Sequence, residues 1–374
     1  MASLSYLMIC VLVSLLNPIS CYGQSKAEAE HKALFVFGDS LFDAGNNKYL
    51  KNVSVAALSW PNGETFFKHP TGRFSDGRLV PDFIAQFAQL PILPPYLQTI
   101  AHHFIRPKNK IAHHFTDGVS FASAGAGVLA ETNPAVINLP TQLSYFKNVV
   151  KSVRQNLGDV EAKKVLMRAV YLFSIGGNDY SSFYSQNPNA TQSDRRQYVE
   201  MVIGNLTSVL NEIYGLGGRK FALQNVGPLG CTPSSIAGSH QHGECLEELS
   251  ALSRLHNRDL ATVLENLESK LQGFKYSIFD YYNELRDRVK NPSQHGFLNG
   301  TAACCGRGEY RENDCGVNEN GTAVFDLCSD PSQYVFFDGL HTTERANHQL
   351  AELIWSGVPS VTGPYNVEQL FGHA

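Results

Sequence analysis

Short apolar runs of strand-forming residues alternate with amphipathic stretches through most of this chain. Glycine, proline or other turn residues bound the runs, and the stretches between them have the apolar spacing of helices. The run at 169–175 is almost continuously apolar, which is typical of a strand buried on both faces of its sheet. This alternation predicts a parallel sheet covered by helices on both sides, a three-layer α/β/α fold. The predicted strands lie at 33–37, 119–127 (a strand and a turn), 169–175, 220–226 and 274–281, and the predicted helices at 81–88, 160–168, 193–216, 245–271 and 343–355.

The composition suits a globular protein and gives no sign of a strongly charged partner. The chain has 374 residues, of which 43% are hydrophobic, and its formal net charge is −4 at pH 7. This content is ample for a large core. No change in composition marks a second domain, so residues 24–374 are predicted to form a single domain, with loops at 47–70, 95–118 and 295–335 over the sheet edge. Without a basic excess, neither a nucleic acid nor an anionic membrane surface is a predicted partner.

Residues 1–23 have the pattern of a secretory signal peptide. An apolar centre at 7–16 is followed by small residues at Cys21 and Gly23, which predicts cleavage before Gln24. The segment departs from the usual pattern because no lysine or arginine precedes its apolar centre. A membrane anchor is the alternative, but the apolar stretch is well short of the roughly 20 residues that span a bilayer. We therefore predict a secreted, extracellular protein with no transmembrane segment.

The cysteine content agrees with secretion. Six cysteines remain after the predicted signal peptide, and they are Cys231, Cys245, Cys304, Cys305, Cys315 and Cys328. An even number in a secreted chain predicts disulfide bonds. The first two close a short loop and are predicted to pair, whereas the other four allow three pairings, which stay open. A zinc site is the alternative, but there is no Cys-x-x-Cys pair and no histidine cluster at ligand spacing, so no bound metal is predicted.

Asn-x-Ser/Thr sequons also fit a secretory route, because they are the acceptors of N-linked glycans. They lie at Asn52, Asn189, Asn205, Asn299 and Asn320.

A serine and a histidine at opposite ends of the chain supply a predicted nucleophile and base. Ser40 lies in Gly38-Asp39-Ser40, where the first predicted strand ends, and ligands of open α/β sheets collect at that edge. Serine needs an adjacent base to become nucleophilic. His341 is the predicted base, and Asp338, three residues earlier, is placed to orient its ring.

Acyl transfer to a serine also needs hydrogen-bond donors for the oxyanion. The predicted donors are the backbone N–H groups of Ser40 and Gly125 and the side chain of Asn178, which follows the strand at 169–175. Each motif alone is ordinary turn chemistry. Their occurrence together, each after a predicted strand or in a loop that follows one, predicts a serine hydrolase or acyltransferase that needs no cofactor. The chain has no Gly-x-Ser-x-Gly motif, which argues against an α/β-hydrolase fold.

These residues resemble the plant branch of the GDSL esterases and lipases, within the SGNH hydrolases. The resemblance covers about residues 33–357, and the tracts at 70–78 and 303–306 also look like that branch. It implies a flavodoxin-like fold, a catalytic triad of Ser40, Asp338 and His341, and an oxyanion hole formed with Gly125 and Asn178. The residues that follow Ser40 look closest to those of secreted, defence-type plant lipases. The predicted location is the apoplast, and the vacuole is the alternative.

The resemblance has departures and leaves alternatives. Ser120 stands where the family commonly has asparagine, and Thr342 where it commonly has proline. The first change is expected to loosen the support of Gly125. The predicted substrate is a small-molecule or lipid ester. An acyltransferase that passes the acyl group to an alcohol is the alternative, and a secreted binding glycoprotein with a vestigial site is a third hypothesis. The sequence makes no prediction of oligomeric state.

Overall fold

A computed structural model describes residues 32–51, 53, 56–105, 115–239 and 243–372. The predicted signal peptide at 1–23 and the sequon at Asn52 lie outside these described residues. Within them, none of the helices combines the length and the apolar character needed to cross a membrane.

A six-stranded sheet forms the centre of the fold. Its strands are β1 (Leu34–Gly38), β2 (Gly118–Ser120), β3 (Val170–Ser174), β4 (Lys220–Gln224), β5 (Lys275–Phe279) and β12 (Thr362–Pro364). They lie side by side in the order β12-β5-β4-β3-β1-β2. The first five strands along the chain are parallel to their neighbours, and their order, 2-1-3-4-5, is that of the flavodoxin-like fold. The predicted fold class is therefore confirmed. One edge differs from the prediction of a parallel sheet, because β12 pairs with β5 in the antiparallel direction.

Short strands outside this sheet are β6 (Asn299–Ala303), β7 (Cys305–Gly306), β8 (Asn318–Glu319), β9 (Thr322–Ala323), β10 (Asp326–Leu327) and β11 (Tyr334–Phe336). The α-helices are α1 (Val80–Phe87), α2 (Tyr96–Ile105), α3 (Leu139–Arg168), α4 (Gly177–Gln186), α5 (Gln192–Leu216), α6 (Pro233–Ala237), α7 (Glu247–Lys270), α8 (Tyr281–Lys290), α9 (Glu344–Ser356) and α10 (Val367–Gly372).

Two hydrophobic cores cover the two faces of the sheet. Successive side chains of a strand point to opposite faces, and β1 shows this directly: Phe35 and Phe37 join one core, whereas Leu34 and Val36 join the other. The first core contains buried residues of α3, α5 and α7, and the second contains residues of α1, α8, α9 and α10. Because both faces are covered, the strands are apolar without alternation.

Several helices are longer than predicted or were not predicted. Helix α3 begins at Leu139, although only 160–168 was predicted. Its start has clear signals, since the Asn138 side chain accepts a hydrogen bond from the Thr141 N–H at 3.1 Å and Pro140 lies in the first turn. A break at Gly158, where φ is 78°, separates the predicted part from the rest. Helices α2, α4, α6, α8 and α10 were also not predicted.

All six cysteines of the described residues form disulfides. Cys231 bonds to Cys245, the pair expected from the spacing, and the structure resolves the other four into Cys304–Cys328 and Cys305–Cys315. A zinc site on these cysteines is therefore wrong. The segment that carries the last four cysteines has only a small apolar cluster of its own, so covalent links take the place of a larger core there.

Three of the described sequons are exposed: Asn189, Asn205 and Asn320. Asn299 is half-buried, and its side-chain oxygen accepts hydrogen bonds from the N–H groups of Thr301 and Ala302. Glycosylation of these residues stays a prediction.

Candidate active site

Ser40 lies just beyond the carboxyl end of β1. The last residue of that strand, Gly38, stands at a point where only a glycine fits. A Cβ atom on Gly38 would lie 2.5 Å from the carbonyl oxygen of Ser174 in β3. The buried side chain of Gln142 pairs with both backbone groups of Gly38, accepting from its N–H at 2.9 Å and donating to its carbonyl at 2.8 Å. These hydrogen bonds tie the end of β1 to helix α3 and fix the point at which Ser40 leaves the sheet.

Asp338 and His341 lie in the turn between β11 and α9. The Asp338 carboxylate accepts hydrogen bonds from the N–H groups of Leu340 and His341, at 2.9 and 2.8 Å, which folds the carboxylate back onto its own turn. The carboxylate also lies 2.8 Å from His341 Nδ1. Burial opposes ionisation of Asp338, but the imidazole and the hydrogen bonds outweigh it and lower the pKa of this carboxyl.

The same histidine reaches Ser40. His341 Nε2 lies 2.7 Å from Ser40 Oγ, so one hydrogen-bonded series joins Asp338, His341 and Ser40. A carboxylate only accepts, so Nδ1 carries the proton and the Nε2 lone pair faces the serine hydroxyl. This is the arrangement of a nucleophile, its base and the group that orients the base.

The other predicted residues follow the two strands that flank β1. Gly125 lies in the loop after β2, with φ of 81°, and Asn178 lies in the first turn of α4, after β3. The Asn178 amide donates one hydrogen bond to the carbonyl of Ala126 at 2.9 Å, which leaves its second N–H for a ligand. Within the part of the chain that the structure describes, the backbone N–H groups of Ser40 and Gly125 donate to no protein acceptor.

A loop that was assigned no role in the sequence analysis supports Gly125. Asp43 accepts from the Ala124 N–H at 2.9 Å. Asn46 donates to the carbonyls of Ser120 and Ala122, at 2.9 and 2.8 Å. The loop after β1 thereby fixes the loop after β2. The expected weakness at Ser120 is offset, since its hydroxyl donates to the Phe42 carbonyl at 3.3 Å.

Asp179 links the loops after β2 and β3. Its carboxylate accepts hydrogen bonds from the N–H groups of Val128 and Leu129, at 2.8 and 3.0 Å, and from the Thr132 hydroxyl. Burial raises the pKa of Asp179, and these donors partly offset that effect. The sequence analysis gave Asp179 no role, although its position directly after Asn178 could have indicated one.

A cleft next to the segment that carries Ser40 has about 440 Å³ of empty space, a figure that includes open solvent, and neither Ser40 nor His341 is among its lining residues. It is lined by the immediate neighbours of the site residues: Asp39 and Leu41 beside Ser40, Gly177 beside Asn178, and Leu340 beside His341. Apolar side chains dominate the rest of the wall, including those of Ile175, Val226, Leu229 and Leu285. The cleft thus offers an apolar space with a few polar groups next to the serine, as ligand sites do.

No group of three or more histidine, cysteine, aspartate or glutamate side chains stands close enough to hold a metal ion among the residues that the structure describes.

A three-layer α/β/α fold with a Ser–His–Asp series at the carboxyl edge of its sheet is the architecture of a serine hydrolase. A family model described as GDSL-like Lipase/Acylhydrolase matches residues 34–354. The chain therefore belongs to this family.

Two relatives named as plant esterases or lipases match the chain over nearly their whole length, which supports a carboxylic ester hydrolase, and a third is covered over less of its length. The chain is 45% identical over 99% of its length to GDSL esterase/lipase 1 of Arabidopsis thaliana, of which it covers 98%. It is 44% identical over 98% of its length to a GDSL lipase of Tanacetum cinerariifolium, of which it covers 94%. It is also 36% identical over 91% of its length to an A. thaliana protein named Inactive GDSL esterase/lipase-like protein 25, of which it covers 74%.

Proposed function

We propose that this protein hydrolyses carboxylic esters through an acyl-enzyme on Ser40. The observation that carries the proposal is the contact between Ser40 Oγ and His341 Nε2 at 2.7 Å, with Asp338 on the opposite ring nitrogen. His341 accepts the serine proton as Oγ bonds to the ester carbonyl carbon. The C–O bond to the alcohol then breaks, and His341 returns that proton to the departing oxygen.

Water completes the cycle. His341 takes a proton from a water molecule as the water oxygen bonds to the acyl carbon. The bond between the acyl carbon and Ser40 Oγ then breaks, and His341 returns the proton to Oγ. In each half the carbonyl oxygen becomes an oxyanion, for which the donors are the N–H groups of Ser40 and Gly125 and the free N–H of Asn178. One preorganised donor contributes about 3–4 kcal/mol in sites of this kind.

The substrate proposed is a small-molecule or lipid ester, one part of which occupies the cleft beside Ser40. We also propose secretion to the apoplast or the vacuole, with residues 24–374 as a single domain. The three disulfides and the plant relatives support an extracellular protein. N-terminal sequencing of protein recovered from the medium of expressing plant cells tests this, with Gln24 expected as the first residue.

The test of the catalytic proposal is Ser40→Ala. We expect kcat/KM on a soluble ester to fall by a factor of about 10⁴ or more, because the nucleophile is absent. Labelling by a fluorophosphonate probe should also disappear. Ser185→Ala, which changes an exposed serine of α4, is the matched control and should keep full activity.

Two results would contradict this proposal. Wild-type turnover in Ser40→Ala would place the nucleophile elsewhere, and wild-type protein that neither labels nor turns over any ester would indicate a vestigial binding site. Product analysis with added alcohols separates water from an alcohol as acceptor. We expect free acid as the main product, and a new ester formed faster than free acid would assign acyl transfer instead.

A further inference from the structure

The segment from Phe74 to Arg78 runs beside the segment that carries His341. The rings of Phe74 and His341 have centroids 4.8 Å apart and planes inclined by 37°. One residue on, the Ser75 hydroxyl donates to the carbonyl of Thr342 at 3.0 Å. The two segments therefore touch residue by residue, although they lie far apart in the sequence.

Asp76 continues this series of contacts at the start of α9. Its carboxylate accepts a hydrogen bond from the Glu344 N–H at 2.7 Å, one of the N–H groups that a helix start leaves without an internal partner. Asp76 is 2% exposed, so this bond is shielded from water. The Arg78 guanidinium pairs with the Glu344 carboxylate at 2.7 Å. The backbone carbonyl of Arg78 accepts a hydrogen bond from the Asn347 side-chain amide at 3.0 Å. The beginning of α9 is thus fixed directly after the catalytic turn.

Asp338 and Ser40 contact the two nitrogens of the His341 imidazole, in the plane of the ring. His341 is 7% exposed, so neighbouring side chains enclose its ring, and the Phe74 ring is one of them. In the proposed mechanism the ring also becomes positively charged when it takes the serine proton. An aromatic face within about 6 Å of a cation attracts it. The centroid of the Phe74 ring lies 4.8 Å from that of His341, which is within this distance.

We propose that Phe74 is a positioning residue of the catalytic centre, whose ring holds the His341 imidazole towards Ser40 and stabilises its protonated form. Ser75 and Asp76 keep Phe74 in register with the histidine. This inference rests on the proposed function, because it assigns Phe74 a role only through a catalytic His341.

The test compares Phe74→Leu with Phe74→Tyr on a p-nitrophenyl ester of a short acid. Leucine keeps an apolar side chain but removes the aromatic face, so kcat should fall about 3- to 30-fold while KM stays within about twofold. The rate of fluorophosphonate labelling should fall by the same factor, since it depends on activation of Ser40 and needs no deacylation. Tyrosine keeps the face and should restore both rates to within about twofold of wild type.

Phe67→Leu is the matched control, because Phe67 lies in the same loop but faces the Arg73 guanidinium at 4.8 Å. It should leave kcat and the labelling rate unchanged. Thermal unfolding shows whether each variant folds, and if Phe74→Leu loses its cooperative transition, Phe74→Met is read in its place.

Three results would overturn the inference. A Phe74→Leu enzyme with wild-type kcat and labelling rate would remove any role through His341. A rise in KM alone would make Phe74 only a wall of the substrate site, and an equal loss in Phe74→Tyr would show that volume and not the aromatic face matters. In each case an active wild-type enzyme leaves the proposed function intact, whereas a wild type that neither labels nor turns over ester overturns both.

Discussion

Asp39 lies directly before Ser40, on the wall of the cleft, and is 5% exposed. Its carboxylate accepts a hydrogen bond from the Leu41 N–H at 3.1 Å. Burial raises the pKa of Asp39 from 3.8 to about 7; the Asp179 carboxylate adds to this effect, and the Leu41 N–H and His341 oppose it. Because the folded-state pKa is the higher one, the folded protein binds this proton more tightly than the unfolded chain. Its contribution to stability is complete below about pH 4 and is lost as the pH rises through 7.

Asp39→Asn should remove this loss, because asparagine stays neutral and keeps an oxygen for the Leu41 N–H. A pKa change from 3.8 to about 7 corresponds to about 4 kcal/mol, the upper limit of the gain in unfolding free energy above pH 7. Denaturant titrations between pH 4 and 9 measure it, and the difference from wild type should vanish towards pH 4. Asp159→Asn, at an exposed position in α3, is the control. A variant with the wild-type dependence on pH would contradict the prediction.

At the scale of elements, the loop from Asp43 to Asn47 joins the end of β1 to the end of β2. Asn46 alone donates to two carbonyls of the second loop and accepts from the Leu97 N–H at the start of α2. All of this occurs at a residue that is fully buried. The loop is therefore a structural connection between three elements rather than a flexible cover.

Asn46→Ala should destabilise the protein by about 3 kcal/mol, because it leaves several buried backbone groups without partners. Its kcat should also fall, since the released loop carries Gly125. Denaturant unfolding and steady-state kinetics measure the two effects. Asn211→Ala, in an exposed turn of α5, is the control and should change neither. An Asn46→Ala protein with wild-type stability would show that water replaces these bonds.

The sequence predicted elements well where an apolar run has one interpretation. The strand predicted at 33–37 is β1, Leu34–Gly38, and the helix predicted at 193–216 is α5, Gln192–Leu216. It failed at β12, because Thr362-Gly363-Pro364 contains two residues that strands disfavour and that only an edge position tolerates. The strand predicted at 274–281 also ran past the start of α8. The signal for that start is Asp280, whose side chain accepts a hydrogen bond from the Asn283 N–H as the N-cap of the helix.

Across the whole molecule, distance in the sequence set the limit of prediction. The residues proposed for the triad were found because each has a local signature. The contacts of Phe74, Ser75 and Asp76 with the 341–344 segment have none, since they join segments more than 260 residues apart. The pairing of Cys304 with Cys328, which lie 24 residues apart, was open for a different reason, because it depends on how the short strands pair, β10 with β7 and β11 with β6.

The disulfide-bonded segment around Cys304 and Cys305 holds the residues that precede Asp338. The N–H groups of Cys304 and Cys305 donate to the carbonyls of Phe336 and Phe337, directly before it. Changing Cys304 and Cys328 to alanine should lower the unfolding free energy by about 2–4 kcal/mol, because the unfolded chain loses a closed loop. Denaturant unfolding measures it. The control is the wild-type protein with the disulfides intact, and equal midpoints for the two proteins would contradict the prediction.

The contact between Ser40 and His341 joins residues 301 positions apart, so it forms near the end of chain synthesis. Strands β1 to β5 pair with one another and precede α9 and the turn before it, so they can assemble as the chain emerges, whereas that turn and α9 come last. In the proposed mechanism, a nascent or truncated chain that ends before Asp338 has Ser40 without its base. The order of the elements would then keep the enzyme inactive until almost all of it has been made.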